Sequence, residues 1–123
     1  MTKMIFVLVG LVANISFAAN LKVTSTTLKP GGEVPAEQIF NGFGCTGPNI
    51  SPDLKWTGAP KETKAFAITV YDPDAPTGSG WWHWTVVNLP SNVTMLAPGA
   101  SGKLPAGAIE TRTDFGKSGY GGP

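Results

Sequence analysis

Lys64-Ala65-Phe66-Ala67-Ile68-Thr69-Val70-Tyr71, followed by Asp72-Pro73-Asp74-Ala75-Pro76-Thr77-Gly78-Ser79-Gly80 and Trp81-Trp82-His83-Trp84-Thr85-Val86-Val87-Asn88-Leu89, is the stretch that decides the fold. Its first eight residues alternate. Phe66, Ile68 and Val70 point one way, and Ala65, Ala67, Thr69 and Tyr71 the other. Both faces are largely apolar, which predicts a central strand covered on both sides. Residues 81–89 repeat the pattern, with Trp82, Trp84 and Val86 on one face and His83, Thr85 and Val87 on the other. Pro90 and Ser91-Asn92 end that strand. The nine residues between are turn formers, so two strands are joined by one ordered loop.

Outward from this pair, 16 glycines and 11 prolines punctuate short apolar runs, and no long helical period follows residue 20. That pattern predicts a mainly β domain, a sandwich or a barrel. Residues 21–28 read as an early strand ended by Pro30-Gly31-Gly32. Residues 33–39 fit a short strand or one helical turn. Residues 41–56 read as a long ordered loop and 91–105 as loop, while 106–113 fit a further strand and 114–123 are glycine-rich.

The first nineteen residues differ in kind. Lys3, the apolar run from Met4 to Ala13 and the small residues Ser16-Phe17-Ala18-Ala19 form the pattern of a secretory signal. The run is short for a permanent membrane span; an uncleaved anchor is the alternative. Cleavage after Ala18 or Ala19 predicts a mature chain from about Asn20, a single domain over residues 20–123, and a periplasmic or secreted location. Without Lys3 the basic and acidic residues balance at eight each. A neutral chain without a Lys/Arg cluster argues against nucleic-acid binding and against a polybasic membrane patch.

The loop places Asp72 and Asp74 on one side and His83, the only histidine, on the other. If the strands are neighbours, Asp72 approaches His83. A carboxylate beside an imidazole favours the charged ring and fixes its orientation, so the pair can bind an anion. The structural alternative is a histidine satisfied in the core and two aspartates capping turn N–H groups. The tryptophans serve the core or line a pocket. Cys45 is the only cysteine, either a thiol lacking its partner or a small buried apolar residue. One His and one Cys cannot assemble a four-ligand structural zinc site, and no Gly-x-Ser-x-Gly elbow occurs. No cofactor is implied. The tail from Gly116 to Pro123 reads as a flexible turn or as backbone able to approach an anion closely. Asn49-Ile50-Ser51 and Asn92-Val93-Thr94 match the glycosylation sequon.

Asp72-Pro73-Asp74-Ala75-Pro76 with Trp82-His83-Trp84-Thr85-Val86-Val87-Asn88-Leu89-Pro90 resembles the first signature of the phosphatidylethanolamine-binding proteins, also called Raf kinase inhibitor-like proteins. Gly42-Phe43-Gly44-Cys45, Asn49-Ile50-Ser51-Pro52 and Leu54-Lys55-Trp56 are similar to the prokaryotic branch with its exported members, and Gly119-Tyr120-Gly121-Gly122-Pro123 to the opening of the second signature. The resemblance implies a β-sandwich-like fold with a small anion pocket at one end. It assigns the pocket to Asp72, His83, Pro73, Asp74, Pro76, Trp81, Tyr120, Gly121 and Gly122. In the family the second signature continues to a second histidine and a tyrosine, and exported members carry a cysteine just beyond that can pair with the equivalent of Cys45. Residue 123 precedes all of these, so the resemblance implies a domain incomplete at the C-terminus and an unpaired Cys45.

The expected function is therefore an exported, non-enzymatic binder of a small anion or phospholipid head group. Two alternatives come from other classes. One is a module that inhibits a kinase or protease through its surface; the other is a hydrolase using His83 as general base.

Overall fold

The computed structural model describes residues 20–123, so the expected signal segment lies outside the described residues. Eight strands and one 3-10 turn follow in order: β1 (Lys22–Thr24), the turn (Ala36–Gln38), β2 (Asn41–Gly42), β3 (Cys45–Thr46), β4 (Leu54–Thr57), β5 (Ala65–Asp72), β6 (Trp81–Pro90), β7 (Met95–Leu96) and β8 (Ile109–Glu110). Two three-stranded antiparallel sheets run β1-β4-β7 and β5-β6-β8, and β2-β3 is a separate hairpin. The mainly β expectation holds. The core lies between the sheets, with Trp56 and Leu96 from the first against Trp84, Val86 and Leu89 from the second. Trp56 meets Phe66 edge-on at 5.5 Å, a geometry aromatic pairs favour.

β6 is the longest strand because Trp, Thr and Val fit a pleated, half-buried surface. Two bulges interrupt it. Opposite Val70–Tyr71 the pairing jumps from Trp84 to Trp82, leaving His83 as the extra residue. Opposite Phe66–Ile68 it jumps from Leu89 to Val86, and Asn88 takes the left-handed conformation (φ 57°) that Asn tolerates.

The first bulge overturns the expected facing. Trp82 and Trp84 do not share a side: Trp84 is fully buried, whereas Trp82 is 43% exposed and lies on Tyr71 with ring centroids 4.5 Å apart. β5 also departs from expectation. It forms the edge of its sheet, and Ala65, Ala67, Thr69 and Tyr71 are exposed while Phe66, Ile68 and Val70 are half-buried. Its alternation was correctly placed; among the described residues nothing covers its outer face. Short elements were also missed. The expected loop at 41–56 contains the β2-β3 hairpin and most of β4, and the one at 91–105 contains β7. The strand expected at 21–28 is only β1, because residues 25–27 turn to bind Asp53. That carboxylate accepts from Thr26 N (2.8 Å) and Oγ1 (3.0 Å), Thr27 N (3.1 Å) and Oγ1 (2.7 Å) and Ser25 Oγ (2.8 Å). These bonds, the Thr26 N–H foremost, hold Asp53 well below the usual carboxylate range.

Candidate functional site: the His83 pocket

The β5-β6 hairpin pairs Asp72 directly with Trp81. The loop between them does converge on the histidine. A cavity of about 300 Å³ is walled by Phe40, Phe43, Trp81, Phe115 and Pro76, with Asp72 and His83 among its few polar groups. Gly122, Pro123 and Cys45 also lie on its rim. A second cavity, of about 320 Å³, shares Asp72, His83 and Pro123 and adds Pro73 and Tyr120. Eight of the nine expected residues thus line a cavity or bond directly to His83. Asp74 does neither; it is exposed, and its N–H donates to Asp72 Oδ1 at 2.9 Å.

The expected pairing of Asp72 with His83 is not made. His83 Nδ1 meets the carbonyl of Gly121 at 2.6 Å, and Gly121 N donates back to the His83 carbonyl at 2.9 Å. A carbonyl only accepts, so Nδ1 carries a proton. The ring orientation therefore comes from Gly121, and Asp72 serves the turn-capping role of the structural alternative. Nε2 is buried without a partner. It is the one ring atom left to meet a ligand, and an unsatisfied buried polar group calls for an explanation. Cys45 is exposed on the same rim but reaches neither nitrogen of the ring.

The segment Tyr120-Gly121-Gly122 is built from outside. Asn49 Nδ2 donates to Tyr120 O (3.2 Å) and Gly122 N donates to Asn49 Oδ1 (2.8 Å). Tyr120 OH donates to Gln38 O (3.0 Å), and Tyr120 N to Ser101 Oγ (2.9 Å). Ser101 Oγ in turn donates to Glu110 Oε1 (2.6 Å), which also accepts from Trp84 Nε1 (2.6 Å). Burial pushes the Tyr120 phenol up to about 12. A Cβ on Gly121 would strike the Phe115 ring, and one on Gly122 the backbone carbonyl of Gln38. These glycines are thus required by close approach of the protein to itself.

Phe40, Phe43, Phe115 and Asn49 were not among the expected site residues. Phe40 and Phe115 pack at 4.5 Å, and Phe43 stacks on Phe115 at 6.0 Å from the tip of the β2-β3 hairpin. Phe115 lies more than seventy residues from Phe40 and Phe43, and the three carry no shared periodicity. The glycines flanking Phe43 mark a tight turn, and the run Gly42-Phe43-Gly44-Cys45 carries the family resemblance, but neither signal places its ring in the site. Asn49 was visible as a sequon, but its amide is engaged at both ends. Among the described residues no group of three or more His, Cys, Asp or Glu side chains could hold a metal ion, and no helix is long and apolar enough to cross a membrane.

Comparison with known proteins agrees with this architecture. The phosphatidylethanolamine-binding protein family model matches residues 24–123. YbcL of Escherichia coli K12, a UPF0098 protein, is 56% identical over 109 residues, covering 85% of this chain and 60% of the relative. YbhB of the same strain is 52% identical, with 83% and 66% covered. The crystal structure of E. coli YbcL, described as a new member of the mammalian PEBP family, superposes with a TM-score of 0.82 at 55% identity and covers 85% of this chain and 66% of that one. A homologue from Chlamydia trachomatis gives 0.73 at 31% identity. The chain belongs to the phosphatidylethanolamine-binding protein family. It spans about two thirds or less of the length of the relatives it matches.

Proposed function

We propose that the chain is part of an exported, non-enzymatic binding protein that holds a small anion or phosphorylated head group against His83. One observation carries the reading: a ring anchored through Nδ1 leaves a buried, unpartnered Nε2 at an aromatic-walled cavity. Protonated, Nε2 donates to a phosphate oxygen; neutral, it accepts from a phosphate O–H. The carboxylate of Asp72 on the same wall repels a fully ionised phosphate. It suits a phosphoester that carries a proton or an ammonium group. Titration with inorganic phosphate and with O-phosphoethanolamine, followed by NMR of the His83 ring nitrogens, tests this. The Nε2 resonance should move, more tightly for O-phosphoethanolamine; an Nε2 resonance indifferent to both compounds sinks the assignment.

Export rests on the leader-like residues 1–19. Intact mass of the protein from a periplasmic fraction should show loss of 18 or 19 residues; full-length mass there would favour the uncleaved anchor. A phosphoester panel tests the absence of catalysis, since turnover lost in His83→Ala would restore the hydrolase reading. The exposed Tyr71–Trp82 pair favours a second reading, inhibition of a kinase or protease through the outer sheet face. Inhibition that survives His83→Ala and disappears in Trp82→Ala would establish it.

A further inference from the structure

Asn49 lines neither cavity at His83, yet its amide grips the segment that holds the histidine. Its Oδ1 accepts the N–H of Gly122 at 2.8 Å and its Nδ2 donates to Tyr120 O at 3.2 Å. The N–H of Gly122 and the carbonyl of Gly121 belong to one planar peptide unit and point in opposite directions. Asn49 holds one end of that plane; His83 Nδ1 takes the other at 2.6 Å. Glycine has the softest backbone of any residue, so a Gly121–Gly122 plane without an external tie would rotate easily.

We infer that Asn49 is a positioning residue for His83: by fixing the Gly121–Gly122 peptide plane it sets the Nδ1–H tautomer and leaves Nε2 as the free atom. The residue type fits the task. Asn49 sits at φ 57°, a left-handed conformation that asparagine tolerates better than most side chains, and its own N–H donates to Ile39 O at 2.9 Å. An amide accepts from one backbone group and donates to another, whereas a carboxylate only accepts. The partners of its side-chain amide lie 71 and 73 positions away, which is why the sequence shows Asn49 only within a glycosylation motif and a family-like run and not its role. The consequence for binding rests on the anion reading above; the consequence for the ring does not.

The test compares Asn49→Gly and Asn49→Asp in the full chain, by nitrogen NMR of the His83 ring and by O-phosphoethanolamine titration. Asn49→Gly keeps the backbone conformation but frees the peptide plane. It should shift His83 towards a mixture of tautomers and weaken O-phosphoethanolamine about tenfold. Asn49→Asp keeps the acceptor for Gly122 N–H and loses the donor to Tyr120, so it should keep the Nδ1–H tautomer even where it lowers the melting temperature. A tautomer that follows melting temperature across the two variants, or one unchanged in Asn49→Gly, overturns the inference. If Asn49→Gly does not fold, a folded Asn49→Asp with the Nε2–H tautomer overturns it equally. A tautomer shift without O-phosphoethanolamine binding in the parent chain upholds the positioning role and rejects the anion reading.

Discussion

The two walls of the His83 pocket are held in opposite ways. The loop from Asp72 to Gly80 is exposed over most of its length and ties itself down locally. Asp74 N donates to Asp72 Oδ1 at 2.9 Å, Thr77 Oγ1 to Gly80 O at 2.6 Å and Tyr71 OH to Ser79 O at 2.6 Å. None of these bonds spans more than eight residues. The facing wall, Tyr120 to Gly122, is buried and has no such local ties. Its partners are Gln38, Asn49, His83 and Ser101, drawn from four separate parts of the chain. One wall is stiffened by its own sequence, the other by the fold around it. The first should tolerate change, and the second should report on the whole domain.

The sharpest way to break this contrast is Gly122→Ala. The added methyl meets the Gln38 carbonyl, a backbone atom that cannot move aside cheaply. We expect a loss of about 3 kcal/mol, read as a fall in the urea midpoint; a loss near zero would show that the wall is not confined. Tyr120→Phe comes next. Losing one buried hydroxyl bond to Gln38 should destabilise by about 1 kcal/mol at neutral pH.

The same variant carries a pH signature. Burial raises the folded phenol to about 12 from an ordinary 10.0, so the unfolded chain loses its proton first. The parent's stabilisation from this group is complete below pH 10 and fades as pH rises from 10 towards 12, by at most about 1.4 kcal/mol per pH unit. Tyr120→Phe should lack that component of the alkaline slope, measured by urea titration at several pH values. Slopes that match would place the phenol in water.

On the opposite wall, Pro76→Ala should destabilise by only about 0.5 kcal/mol, chiefly through greater freedom of the unfolded chain. It should weaken O-phosphoethanolamine more than it lowers the urea midpoint. If Pro76→Ala instead costs as much as Gly122→Ala, the two walls are not different in kind.

Much of the local wall was legible. The apolar alternation of residues 65–71 and 81–89 located β5 and β6, and the turn formers between them located the loop. Asp72 and His83 were correctly brought to one end of that hairpin. The errors lie where pairing, not propensity, decides. One extra residue at His83 moved Trp82 to the outer face while Trp84 stayed inside, since a one-residue slip inverts every side chain beyond it. No residue type announces such a slip; it exists only relative to the partner strand. The role given to Asp72 failed for a related reason. A carboxylate eleven residues before a histidine is a visible partner, whereas a backbone carbonyl such as that of Gly121 is present at every position.

By itself, then, the sequence determined the β-rich class, the β5-β6 hairpin and the two polar residues near its loop end, because period-two patterning and turn chemistry act over a few neighbouring residues. The tertiary structure alone decided which ring nitrogen of His83 is free, which aromatic rings wall its cavity and which residues pin the second wall. Those outcomes depend on hydrogen bonds and ring contacts between segments 19 to 82 residues apart, and only the folded chain brings such segments within reach of one another.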